Sequence, residues 1–152
     1  MTNSKNLDKH LSRILSISYL YTYFKSQDTS VELSPYEPNS VMDILEENKY
    51  DTRLYETLTE GVVKEQAKLD KVIADLAPEW GLQDMNILNL IILRVAIYEA
   101  FIGEITPVAI VINEAIELKK ELGSDEGASF INGVLGAIAK DENMKELLKS
   151  NE

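Results

Sequence analysis

Apolar residues recur at helical spacing along almost the whole chain, and the two-residue alternation of a half-buried strand is nearly absent. Residues 5–25 read as a helix. The stretch SQDTSVELSPYEPNS that follows, rich in Ser, Pro and other polar residues, predicts a long connection. Ser40, with Asp43 three residues on, gives VMDILEEN a start like a capping box. TRLYETLTEGVVKEQAKLDKVIADLAP keeps helical spacing from about 51 to 77, as one helix or two, and Pro78 is expected to stop it. DMNILNLIILRVAIYEAFI is a long, nearly all-apolar segment closed by Gly103. Thr106 and Pro107 read as N-cap and first helical residue, and Gly123 as the stop of that helix. Ser124 is expected to cap a further helix to about 139, with Asp125 and Glu126 in its first turn, where the helix dipole favours acids. Residues 141–149 read as a short last helix. The fold class is therefore all-α, with seven or eight helices in a single domain over residues 1–152.

Three helix faces break the pattern in informative ways. In PVAIVINEAIEL, at 100° per residue, Val108, Val111, Ile112, Ala115, Ile116, Leu118 and Leu122 share one face, which is the core face. Asn113, Glu114 and Glu117 start the outer face, yet Ile110 falls among them. Either a second helix covers Ile110, or it belongs to a partner-binding patch. The preceding helix shows the reverse: Arg94 sits between Ile91, Tyr98 and Phe101. A guanidinium there requires a carboxylate, with Glu114 or Glu117 of the next helix as the expected partner. In the following helix Ser129, Gly133, Gly136 and Ala137 share a face, and the interior glycines suggest close backbone approach.

Charge narrows the function. The formal net charge is −11, which argues against a generic nucleic-acid binder, yet Lys5, Lys9, Arg13 and Lys25 oppose only Asp8 within residues 1–25. A mildly basic first helix thus stands on an acidic body. Its Lys5, Lys9, Ser12, Arg13, Ser16, Tyr19 and Tyr23 fall on one face, as cations for phosphate and rings for base stacking, or as a solvated face with tyrosines packed under the following loop.

Catalysis has little material. The one histidine, His10, leaves no His-containing triad and no multi-histidine metal site, and with zero cysteines there is no disulfide and no thiolate site. Gly123 and Gly127 in LGSDEGAS lack the Lys-Ser/Thr ending of a phosphate-binding loop. No apolar run approaches membrane-spanning length, and the N-terminus lacks a signal-peptide pattern, so a soluble cytoplasmic protein is expected, with no cofactor and no metal.

LRVAIYEA, then ITPVAIVINEAIELKKELG, then SFINGVLGAIAK resemble the C-terminal half of the NusB family of transcription antitermination factors. That family's pattern runs LR-x-A-x-YE, IP, V-x-INEA-x-ELAK, FG and FVNGVL. Upstream, Gly61-Val62, Leu69-Asp70, Pro78 and Trp80-x-Leu82 fall in family order, so the resemblance covers roughly residues 53–139. It implies a NusB-like fold of two small helical bundles, here an N-terminal half of about 5–80 and a C-terminal half of about 84–149. It also implies a non-catalytic factor that pairs with NusE, a small-subunit ribosomal protein, binds single-stranded boxA RNA and joins the RNA polymerase antitermination complex. The alternative is a NusB-like interaction scaffold whose RNA affinity is weak or lost.

The resemblance carries Arg13, Tyr21 and Phe130 over as RNA contacts, with Lys5 beside them and Lys9 and His10 standing where the family has arginines. Leu11 replaces a further arginine and Ser129 a basic residue before Phe130, so the basic surface is thinned. Glu99, Glu104, Glu114 and Glu117 around Ile110 form the expected acidic face for the basic partner NusE.

Overall fold

The computed structural model describes residues 4–28, 49–80 and 85–150. Seven α-helices and no strand occur among them: α1 Ser4–Asp28, α2 Thr52–Lys64, α3 Gln66–Trp80, α4 Ile87–Ile97, α5 Val108–Leu122, α6 Ala128–Ala139 and α7 Glu142–Lys149. A π-helical turn, Tyr98–Ile102, prolongs α4. The helix expected from Ser40 and the polar connection before it lie outside the described residues, as does Leu82.

Two compact units divide the chain, residues 1–60 and 61–152. In the first, α1 buries Leu11, Leu15, Ile17, Leu20 and Phe24. Ser12 and Ser16 are fully buried as well, and both are satisfied: the Ser16 hydroxyl donates to the Ser12 carbonyl at 2.8 Å, that of Ser12 to the carbonyls of Asp8 and, at 2.7 Å, Asp51. The Asp51 N–H returns a bond to the Asp8 carbonyl at 3.3 Å, so residues around 51 lie along α1. Asp51 also caps α2, its Oδ1 accepting from the Leu54 N–H at 3.0 Å.

The division falls inside α2 and not near residue 80, because α3 packs against α4, α6 and α7. Leu69, Val72, Ile73 and Leu76, spaced three and four apart, supply its buried stripe. Pro78 does not stop α3 but sits in its last turn. Near a helix end a proline forfeits one backbone bond while its fixed φ still fits the helix.

The second unit is organised around α6, which packs against α3, α4, α5 and α7. Phe130, Ile131, Val134, Leu135 and Ile138 are all buried, and each such side chain stabilises the fold by about 1.5–3 kcal/mol relative to exposure. The sequence starts this helix too early. Ser124 sets a turn in which its Oγ accepts from the Glu126 N–H, and α6 begins only after Gly127, whose φ of 91° lies in the left-handed region. The expected close approach at Gly136 is also absent: a Cβ built there meets nothing within 4 Å. Similarly, α5 starts one residue later than expected, with Pro107 as N-cap in an extended conformation.

The close glycine contact lies at Gly61 instead. The Tyr98 ring covers it so tightly that a Cβ on residue 61 would sit 2.6 Å from the phenolic oxygen. Burial, and then the charge of Glu65, push the Tyr98 hydroxyl above its ordinary pKa.

Candidate nucleic-acid and partner interfaces

The first candidate surface is α1, whose sequence alternates buried apolar residues with cations and tyrosines. Lys9 is exposed, His10 half-buried, and Tyr21 is 37% exposed beside the fully buried Leu20. Arg13 is only 6% exposed and Phe130 only 1%. Neither offers a free surface to a ligand: Arg13 lies on the side of α1 that also buries Ser12 and Ser16, and Phe130 belongs to the core of the second unit. The Lys5 side chain lies outside the described residues. The face that the helical wheel assigns to cations and rings is thus partly occupied by the chain's own residues around Asp51.

Tyr19 and Tyr23, four residues apart on α1, meet two tyrosines that sequence reasoning missed. Tyr19 and Tyr23 stack with centroids 6.2 Å apart, Tyr55 sets its ring edge-on to Tyr19 at 6.3 Å, and Tyr50 edge-on to Tyr55 at 5.9 Å. All four are half-exposed. No periodicity within one helix reveals this row, since it joins α1 to the start of α2.

The second candidate surface is the outer side of α5. Ile110 is 54% exposed, so no helix among the described residues covers it, and Asn113 and Glu117 one and two turns along are exposed too. Glu114 is half-buried. Glu104 stands in the turn before α5 with φ at 49°, an uncommon conformation for a residue with a side chain, and its carboxylate lies 3.7 Å from Lys149. The turn is fixed by the Gly103 N–H on the Tyr98 carbonyl at 2.8 Å and the Ile105 N–H on the Glu99 carbonyl at 2.9 Å. Ile105, 42% exposed, adds an apolar residue that the sequence reading overlooked. Glu99 does not line this rim: it is 1% exposed, inside the π-helical turn.

Arg94 pairs with an acid of α3, where the sequence leads one to expect an acid of α5. It is 5% exposed, as expected, and its carboxylate is Asp70.

Among the described residues no three His, Cys, Asp or Glu side chains gather to hold a metal ion, and no helix is long and apolar enough to cross a membrane.

The helices and the absence of strands among the described residues define the class as all-helical. Comparison with known proteins makes the assignment specific: the sequence profile of the NusB family matches residues 7–140, and the chain belongs to that family. The protein named transcription antitermination protein NusB from a Nitratiruptor species is 37% identical over 136 residues, 88% of this chain and 92% of that one. Its namesake from Sulfurimonas denitrificans is 33% identical over 137 residues, 88% and 98% of the two chains. The solved structure of T. maritima NusB superposes with a TM-score of 0.66 at 22% identity, covering 99% of this chain and all of that one, which shows the shared fold.

Proposed function

We propose that this protein is a non-catalytic transcription antitermination factor that acts in the cytoplasm, binding boxA-type single-stranded ribosomal RNA together with NusE within the RNA polymerase antitermination complex. Membership of a family whose relatives carry the antitermination name supports the role. The observation that carries the RNA part is α1, where Lys9 and Tyr21 are exposed and His10 half-exposed on the one basic segment of an acidic chain. Glu104, Ile110, Glu114 and Glu117 form the partner side of the proposal: an apolar anchor edged by acids suits a basic protein, because complementary charge guides encounter and a desolvated side chain slows release.

With Arg13 buried, few cations remain for phosphate, so RNA binding by the isolated chain is weak and NusE strengthens it. Titration of boxA RNA with and without NusE, at several salt concentrations, tests this. Tight binding by the chain alone at physiological salt would overturn the division of labour, and absence of binding even with NusE would overturn the RNA role. The burial of Arg13 also favours a second reading, a protein-interaction scaffold that keeps NusE and has lost RNA. NusE binding without any RNA contribution in the same titration would establish it.

A further inference from the structure

We propose that the row Tyr23, Tyr19, Tyr55 and Tyr50 is a stacking platform for unpaired nucleobases, so that this chain holds single-stranded RNA more through rings than through phosphate contacts. The inference rests on the RNA-binding reading above and names residues outside it.

Three observations carry it. The ring-to-ring steps of 6.2, 6.3 and 5.9 Å make the row continuous. Each tyrosine is partly exposed, whereas the neighbouring Phe24, edge-on to Tyr23 at 5.1 Å, is 4% exposed and plays the ordinary core role. Cations flank the row: the Lys49 side chain, next to Tyr50, is 74% exposed, and Arg53, between Tyr50 and Tyr55 in the chain, is exposed as well.

The row is also held in place before any ligand arrives. Asp51, between Tyr50 and Tyr55, is bonded to Asp8 and Ser12 of α1, which fixes the start of α2 against the helix that carries Tyr19 and Tyr23. Preformed geometry lowers the entropy cost of binding. Every base has a π face, so stacked rings accept a strand with little sequence preference, and the two cations suffice to follow its backbone. In a chain of net charge −11 with Arg13 buried, stacking replaces the phosphate contacts that α1 does not provide.

The test is fluorescence anisotropy of a labelled oligouridine with the full-length chain, its Tyr23→Leu and Tyr50→Leu variants at the two ends of the row, and Tyr23→Phe and Tyr50→Phe as ring-preserving controls. Each leucine variant is expected to weaken binding about five- to hundredfold while each phenylalanine variant stays within about twofold of the parent. The salt slope of the logarithm of affinity is expected near about −1.4, as two phosphate contacts on a single strand give. Thermal melts establish that the variants fold. Unchanged binding by folded leucine variants overturns the platform, as does a parent chain that ignores oligouridine or prefers a proline-rich peptide on these rings. The boxA titration with NusE is read separately, so the RNA role can stand while the platform falls.

Discussion

The Arg94 guanidinium, buried in α4, donates two parallel hydrogen bonds to the Asp70 carboxylate on α3, from Nε to Oδ1 at 2.8 Å and from Nη2 to Oδ2 at 3.0 Å. The burial is lopsided: the Arg94 side chain is 6% exposed and that of Asp70 is 38% exposed. Removing either partner therefore has different consequences. Asp70→Ala takes the carboxylate from a charge that has little water, and is expected to cost about 3–5 kcal/mol. Arg94→Ala leaves an acid that water reaches, and is expected to cost less, about 2 kcal/mol, mostly through lost packing. Urea denaturation of both variants checks the order, and an equal or reversed order would contradict it.

This pair also marks what the sequence makes legible. Helical spacing places Arg94 on a buried face and requires an acid. It cannot choose between neighbours, because α3 and α5 both pack against α4 and each offers carboxylates. The same holds for the tyrosine row, which exists only once α1 and α2 are brought together. Core faces, by contrast, depend on spacing within one helix, and Val111, Ala115 and Leu118 are buried as the wheel has them. Glu99, expected on the acidic face, is instead buried within the π-helical turn Tyr98–Ile102. Ile110 is legible as an anomaly, and it is 54% exposed.

Tyr98 over Gly61 gives a second expectation. A methyl group on residue 61 has no room beneath the ring, so Gly61→Ala is expected to displace Tyr98 and cost about 1–3 kcal/mol, as overpacking does. Combining it with Tyr98→Leu should recover part of that loss. A Gly61→Ala melt no different from the parent would mean that the ring moves freely.

The same tyrosine makes stability fall at alkaline pH. Its pKa in the folded chain is raised from 10.0 by burial and by Glu65, so the folded state holds this proton more tightly than the unfolded state. The contribution is fully present below pH 10.0, and declines as pH rises from there through the folded value. Tyr98→Phe removes the group, so the parent should lose more stability than the variant between neutral and strongly alkaline pH. Parallel denaturation curves for the two across that range would refute the assignment.

Lys68 holds the end of α7. Its ammonium, on a side chain 11% exposed, donates to the carbonyls of Leu148, at 3.4 Å, and Ser150, and lies 3.4 Å from Glu65. A cation at a helix C-terminus satisfies carbonyls that lack intrahelical partners and meets the negative end of the dipole. Lys68→Met keeps the stem and removes the charge. It is expected to speed amide hydrogen exchange in α7 about five- to tenfold, equivalent to about 1 kcal/mol, while the core of α6 stays protected. Equal acceleration in both helices would show that the lysine supports the whole unit.

Ile110 and Glu117 separate the two forces that the proposed NusE surface would use. Ile110 is 54% exposed, so Ile110→Asp removes no core packing and should change stability by less than about 0.5 kcal/mol. If the side chain is desolvated against NusE, the variant dissociates faster while associating at a similar rate, because buried anchors govern release. Glu117 is exposed one turn or more beyond it, and Glu117→Lys reverses a charge at the rim. That change should slow association with the basic partner and flatten its dependence on salt, leaving dissociation little altered. Stopped-flow binding to purified NusE measures both rates, and a thermal melt of each variant separates lost binding from lost folding. Two stable variants with parental rates would place the NusE surface elsewhere on the chain and leave the isoleucine with no part in it.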